Sequence, residues 1–296
     1  MYDDYDEFDE FNEFSLENLD LDEHLAAELL LDDSMLRDLR LVEFGDEEPE
    51  IFLDVPFVPT DEKIVQAMLD MAKVTSKDIL YDLGCGDGRI VVAAAKERNA
   101  RAIGIDLDPA RIADAMEYAG NSRVEHMVDF IEGDLLEADF SEATVVTLYL
   151  LDMINLELRP RLQQELKPGT RIVSHAFDMS DWKPDQHANL AGVNLFLWIV
   201  PAQVAGNWQW YSASGDLYQL RLRQKHQKLS GEVRINGNKA RLNSALVHGD
   251  LLEFRITSAS QSTPVNFVMR YVDDQLLPHD KQLQPEPAVR VVQQQN

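Results

Sequence analysis

The segment Ile79-Leu80-Tyr81-Asp82-Leu83-Gly84-Cys85-Gly86-Asp87-Gly88-Arg89 limits what this chain can fold into more than any other. It reads as a short apolar strand ending in an acid, a turn with glycine at every second position, and the start of a helix. The glycines let the backbone bend sharply and come close to a ligand where a Cβ would collide. A helix starting at that turn offers unpaired amides to the same ligand. Short apolar runs at Ile79–Leu83, Ala102–Ile105, Val128–Ile131, Thr144–Leu150 and Arg171–Ser174 alternate with helix-like stretches at Ile90–Arg98, Pro109–Ala119 and Leu158–Leu166. That alternation predicts a doubly wound, mostly parallel sheet over residues 51–200, with helices on both faces.

The turn departs from the dinucleotide pattern G-x-G-x-x-G, because Gly84, Gly86 and Gly88 are spaced G-x-G-x-G. Asp82, just ahead of it, is ill suited to face a pyrophosphate. It suits a ligand carrying an ammonium and a sulfonium, such as S-adenosylmethionine. The next strand ends in Asp106, an acid about 20 residues beyond the turn and placed to accept from both ribose hydroxyls. Asp108 is then a helix cap with Pro109 in the first turn. The third strand runs into Glu132-Gly133-Asp134-Leu135. Asp134 can accept from an adenine amino group, and Leu135 can pack on the ring. Each acid alone reads equally as a turn, loop or cap residue. Together, at the tips of three successive strands, they mark the carboxyl edge where open α/β sheets bind ligands.

Charge decides which partners are excluded. The 296 residues carry 27 Lys+Arg against 53 Asp+Glu, a formal net charge of -26. Residues 1–50 contribute -18 of this, residues 51–200 contribute -11, and residues 201–296 contribute +3. A balance this acidic disfavours nucleic acid and anionic membranes as partners. It leaves room for the acidic tail to bind a basic partner. In that tail Tyr2, Tyr5, Phe8, Phe11 and Phe14 recur every third residue among acids. Residues 1–50 are expected to be a disordered arm by composition. Cys85 is the only cysteine, so no intramolecular disulfide forms, and no apolar run reaches the roughly 18 residues of a membrane span. The seven histidines show no metal-ligand spacing, so no metal is expected. A cytoplasmic location is the expectation.

With these motifs in view, residues 51–200 resemble the class I, seven-strand S-adenosylmethionine-dependent methyltransferases. Pro56-Phe57-Val58-Pro59, the run from Asp82 to Val91, and Leu166-Lys167-Pro168-Gly169 resemble more narrowly the bacterial relatives of the lysine methyltransferases that modify the ATP synthase c-subunit. A more distant likeness is to the histone-lysine methyltransferase that lacks a SET domain. The resemblance implies that Asp82 holds the cofactor's amino group and that Gly84 and Gly86 line its methionine part. It further implies Asp106 at the ribose, Asp134 with Leu135 at the adenine, and Thr60 closing over the methionine carboxylate. Tyr149 and Asp152, after the fourth strand, would border the acceptor. Tyr149 would form an aromatic edge that disfavours the ammonium, and Asp152 would accept the released proton or cap a helix. The implied reaction is methyl transfer to an amine, foremost a protein lysine. The alternatives are a small-molecule acceptor and a non-catalytic binding protein on the same fold.

Thr60 is also expected to cap the helix that begins with Asp61 and Glu62. His175 reads as a structural histidine rather than a base. Beyond Trp198, period-two alternation and glycine turns predict a small antiparallel sandwich or open barrel over residues 201–277, with Trp208 and Trp210 in its core. Residues 278–296, rich in proline and glutamine, are expected to be loose.

Overall fold

A computed structural model describes residues 57–258, 263–281 and 286–291. The acidic arm expected over residues 1–50 lies outside the described residues. The described residues divide into two compact units, one of those up to Leu166 with Arg171–Trp198, the other of Lys167–Thr170 with those from Ile199 onward.

The first unit is a seven-stranded mixed sheet. Its strands are β1 Ile79–Leu83, β2 Arg101–Asp106, β3 Val128–Glu132, β4 Val145–Leu148, β5 Arg171–His175, β6 Gln186–Leu190 and β7 Val193–Ile199. They lie in the order β3-β2-β1-β4-β5-β7-β6, and the first five are parallel neighbours. β6 and β7 form an antiparallel hairpin. The sheet interior is made of continuously buried runs, Leu80–Leu83 and all four residues of β4, as strands covered on both faces require. The strand order reverses between β1 and β4, the switch point beside which open sheets carry their ligand crevice.

Four helices accompany this sheet among the described residues. They are α1 Glu62–Met71, α2 Arg89–Arg98, α3 Pro109–Ser122 and α4 Asp152–Glu165. Ile64, Met68 and Leu69 of α1 share a core with Val91 and Ala94 of α2. Asp61, not Thr60, caps α1: its side chain accepts from the Lys63 amide at 2.8 Å. Thr60 is buried and bonded elsewhere, which corrects the sequence expectation. α3 is capped as expected, with Asp108 accepting from the Ala110 amide at 2.8 Å and Pro109 at the first position. α4 begins six residues before the stretch read from the sequence. Pro160 suggests a start there, but it is exposed in the helix interior while Ile154, Leu158 and Leu162 keep one buried face. No helix is long and apolar enough to cross a membrane among the described residues.

The second unit is a closed barrel of eight strands. These are β8 Gly206–Tyr211, β9 Leu217–Lys225, β10 Lys228–Ile235, β11 Asn238–His248, β12 Leu251–Thr257, β13 Val265–Val272, β14 Gln275–Pro278 and β15 Ala288–Arg290. Each pairs antiparallel with its successor, and β15 returns to β8. Trp208, Trp210, Tyr218, Phe254 and Phe267 fill the interior, so both tryptophans are core residues. Closure corrects two expectations, the open form and, at Ala288–Arg290, the loose C-terminal stretch. β15 is too short to show periodicity, yet Ala288 is fully buried and the Arg290 guanidinium lies 4.5 Å from the Trp208 ring centroid. Closing the sheet removes the exposed edges that an open form would leave.

Candidate active site

At the carboxyl ends of β1, β2, β3 and β4 lies a cavity of about 1010 Å³, counted out to its solvent-filled mouth. Thr60, Asp82, Gly84, Asp106, Asp134, Leu135 and Tyr149 all line it, which brings seven of the nine residues read from the sequence to one place.

Asp82, the penultimate residue of β1, is buried; its carboxylate accepts from the Thr147 hydroxyl of the adjacent β4 at 2.7 Å. Burial pushes its carboxyl up to about 7, and the charges of Asp106 and Asp87 push the same way. Gly84 follows with φ +81°, and a Cβ there would sit 2.8 Å from a Leu150 methyl, so the loop passes where only glycine fits. Gly86 also has positive φ, but the space beside its Cα is filled by the Phe57 ring, and it is not among the lining residues. Its amide instead donates to Asp106 at 2.7 Å. Asp106 accepts from the Asp108 amide as well, at 3.0 Å, and a carboxylate has further lone pairs to offer a ligand hydroxyl. Asp134 is exposed, and it accepts from the Leu136 amide at 2.8 Å.

The other side of the cavity is aromatic. Tyr149 is stacked on His175, with ring centroids 3.7 Å apart, and Phe177 lies 6.4 Å beyond Tyr149. Burial raises the Tyr149 phenol above its ordinary value and lowers the His175 imidazole to about 4. Asp152 is exposed in the first turn of α4 and is not among the lining residues. It is not the cap of that helix, since Leu151 holds that position; it favours the positive end of the helix dipole.

Several contributors were not singled out in the sequence. Arg89 donates to both oxygens of Asp87, at 2.9 and 2.6 Å, and to the Thr60 carbonyl at 2.5 Å. Arg111 lies 5.0 Å from the centroid of the Phe57 ring and pairs with Asp108. The cavity lining thus holds five aspartates and two arginines, and each arginine already has an aspartate partner. Asp82, Asp106 and Asp134 have no arginine partner in the lining, which leaves the cavity net anionic and suited to a ligand with cationic centres. Cys85 is buried, with its thiol pushed far up by burial, so it is no nucleophile.

A profile described as the ANTKMT methyltransferase domain matches residues 82–186. A protein-lysine N-methyltransferase of Saccharolobus islandicus is 48% identical over 142 residues, which is 48% of this chain and 88% of the relative. The lysine N-methyltransferase of the ATP synthase c-subunit from Xenopus laevis is 33% identical over 45% of this chain and 58% of its own length. This chain thus spans less than two thirds of that vertebrate relative. A solved structure described as an RNA methyltransferase from Salinibacter ruber in complex with S-adenosyl-L-homocysteine is 49% identical, with a TM-score of 0.49. It covers 50% of this chain and 96% of that one.

Proposed function

The chain belongs to the class I S-adenosylmethionine-dependent protein-lysine methyltransferases, and we propose that it transfers a methyl group to the ε-amino group of a lysine in a protein substrate. The observation that carries this reading is a glycine-lined, net-anionic cavity with an aromatic wall on its far side. The residues present fit the cofactor. Three unmatched aspartates suit a ligand with two cationic centres and one carboxylate, and the Gly84 backbone allows close approach.

In this reading Asp82 holds the cofactor's ammonium, Gly84 and the strapped Gly86 amide border its methionine part, and Thr60 closes over the carboxylate. Asp106 takes the ribose hydroxyls, and Asp134 with Leu135 takes the adenine. When bound, S-adenosylmethionine supplies a methyl group already activated by its sulfonium. The chain's own residues then align the acceptor in line and exclude water, a proximity effect. Tyr149, half-buried over His175, presents an aromatic wall on which a neutral amine is favoured over an ammonium. Asp152, exposed two residues past the cavity-lining Leu150, is the carboxylate at the rim through which the amine's proton passes to water. The acidic segment 1–50, with 20 acids and two bases, complements a basic region of a protein partner.

Incubation of cell extract with labelled S-adenosylmethionine and the purified chain tests the proposal. Label on lysine side chains of one or a few proteins is expected. Label on small metabolites alone overturns the protein acceptor, and absence of cofactor binding to the folded chain in calorimetry overturns the enzyme reading.

A further inference from the structure

Thr60 and His175 lie 115 residues apart in sequence, yet the Thr60 hydroxyl sits 3.3 Å from His175 Nδ1, and both are buried. The opposite commitment of the same imidazole is to Tyr149, whose ring lies 3.7 Å away at an interplanar angle of 27°. Thr60 is held from a second direction by Arg89, which is itself clamped by Asp87 of the glycine turn. Phe57, three residues earlier, lies over Gly86 and under the Arg111 guanidinium. Residues 57–60 therefore form a strap, fixed at one end to the glycine turn and at the other to His175.

The turn that presents His175 is unusual in its backbone. Ala176 has φ +68°, a left-handed conformation that is unfavourable for a residue with a Cβ. Its amide donates to the Asn194 carbonyl at 2.8 Å, and the Ser174 hydroxyl donates to the Phe177 carbonyl at 2.7 Å. Asn155 of α4 reaches the same carbonyl at 3.4 Å. Backbone held in a sparsely populated region by surrounding bonds is found preferentially at functional sites. A side chain that only filled space here would need neither the hydrogen bond nor the flat ring. His175 uses both, on two residues that line the cavity.

We propose that His175 is a positioning residue for both substrates. Its Nδ1 fixes the Thr60 strap over the cofactor half, and its ring face fixes Tyr149 as the wall of the acceptor half. This rests on the assignment of Tyr149 to the acceptor side made above. Two substitutions separate the contacts. His175→Phe keeps a flat ring under Tyr149 and removes the bond to Thr60. His175→Asn keeps a polar atom near Nδ1 and removes the ring.

The experiment measures the Kd for S-adenosyl-L-homocysteine by calorimetry and the KM for the unmethylated form of a protein labelled in the extract experiment, with thermal melts to establish folding. His175→Phe is expected to weaken S-adenosyl-L-homocysteine about three- to tenfold and leave the acceptor KM nearly unchanged. His175→Asn is expected to raise the acceptor KM about three- to tenfold and leave the cofactor Kd nearly unchanged. Thr60→Val should weaken the same cofactor constant at least as much as His175→Phe, and the double variant should add nothing to Thr60→Val. Folded His175→Phe and His175→Asn variants that both shift the same constant, or shift neither, overturn the proposal. A wild-type chain that binds S-adenosyl-L-homocysteine but methylates no lysine refutes the proposed function instead, and the His175→Phe and Thr60→Val cofactor measurements still decide whether the strap is held as inferred.

Discussion

Asp82, to which the proposed function gives the cofactor's ammonium, has a charge state set by its surroundings. Its carboxyl titrates near 7 in the folded protein because burial and two neighbouring aspartates disfavour its charge. A cationic ligand binds the ionised form, so affinity for S-adenosylmethionine should fall as pH drops below about 7, measurable by calorimetry from pH 8 to 6. The sign for stability is the reverse. The folded carboxyl binds its proton more tightly than the unfolded one, so the ligand-free chain loses stability as pH rises from the ordinary aspartate range through about 7. Asp82→Asn should therefore melt above wild type at pH 8 without ligand, while binding the cofactor more weakly and with a flatter pH profile. Asp106→Ala should weaken the cofactor by about 1–3 kcal/mol, because a charged acceptor is lost and the Gly86 and Asp108 amides it anchors are freed. Unchanged affinity would mean that the ribose assignment is wrong.

At the level of elements, the loop between β1 and α2 combines positive φ at Gly84, Gly86 and Gly88 with close packing beside all three. Gly84→Ala should be costly twice over, through φ and through the Leu150 contact, and should lower both the melting temperature and cofactor affinity. The barrel strands carry a different tension. β9 to β12 hold eight Lys or Arg and two acids, and β10 places Arg234 directly opposite Lys239 of β11. Like charges facing across strands destabilise a sheet. Lys239→Glu should raise stability by about 0.2–1 kcal/mol in low salt, with the gain shrinking toward zero in 1 M salt as charges are screened. A thermal melt series in both salts reads this directly.

Across the whole molecule, charge is strongly sorted. The net -26 is concentrated in residues 1–50, whereas the residues after 200 are weakly basic. Every residue lining the cavity falls between Phe57 and Ile154. Removal of residues 1–50 should therefore leave the Kd for S-adenosylmethionine within about twofold of the full chain, and any loss should appear in capture of the protein acceptor. A large loss of cofactor affinity on deletion would show that the acidic segment is part of the site.

The parallel core, and the residues gathered at its carboxyl edge, were legible in the amino-acid sequence alone. Asp82, the glycine turn, Asp106, Asp134 and Leu135 are each tied to a strand end a few residues away, and strand periodicity and turn chemistry are local. Those rules also placed Tyr149, since it follows β4 directly. They could not find the partners that arrive from elsewhere. Thr60 reads locally as a cap and His175 as filler; they meet only because the sheet order and the turn after β5 carry His175 to within reach of the segment before α1. Arg89 looks like an ordinary first helical residue until the same fold lays the Thr60 carbonyl against it. Barrel closure was decided the same way, by a three-residue strand whose pairing partners lie 12 to 14 and 80 or more residues earlier. Local pattern encodes which elements form. Which distant side chains then share a surface follows from the order of strands and the packing between them, and no short window of sequence contains that information.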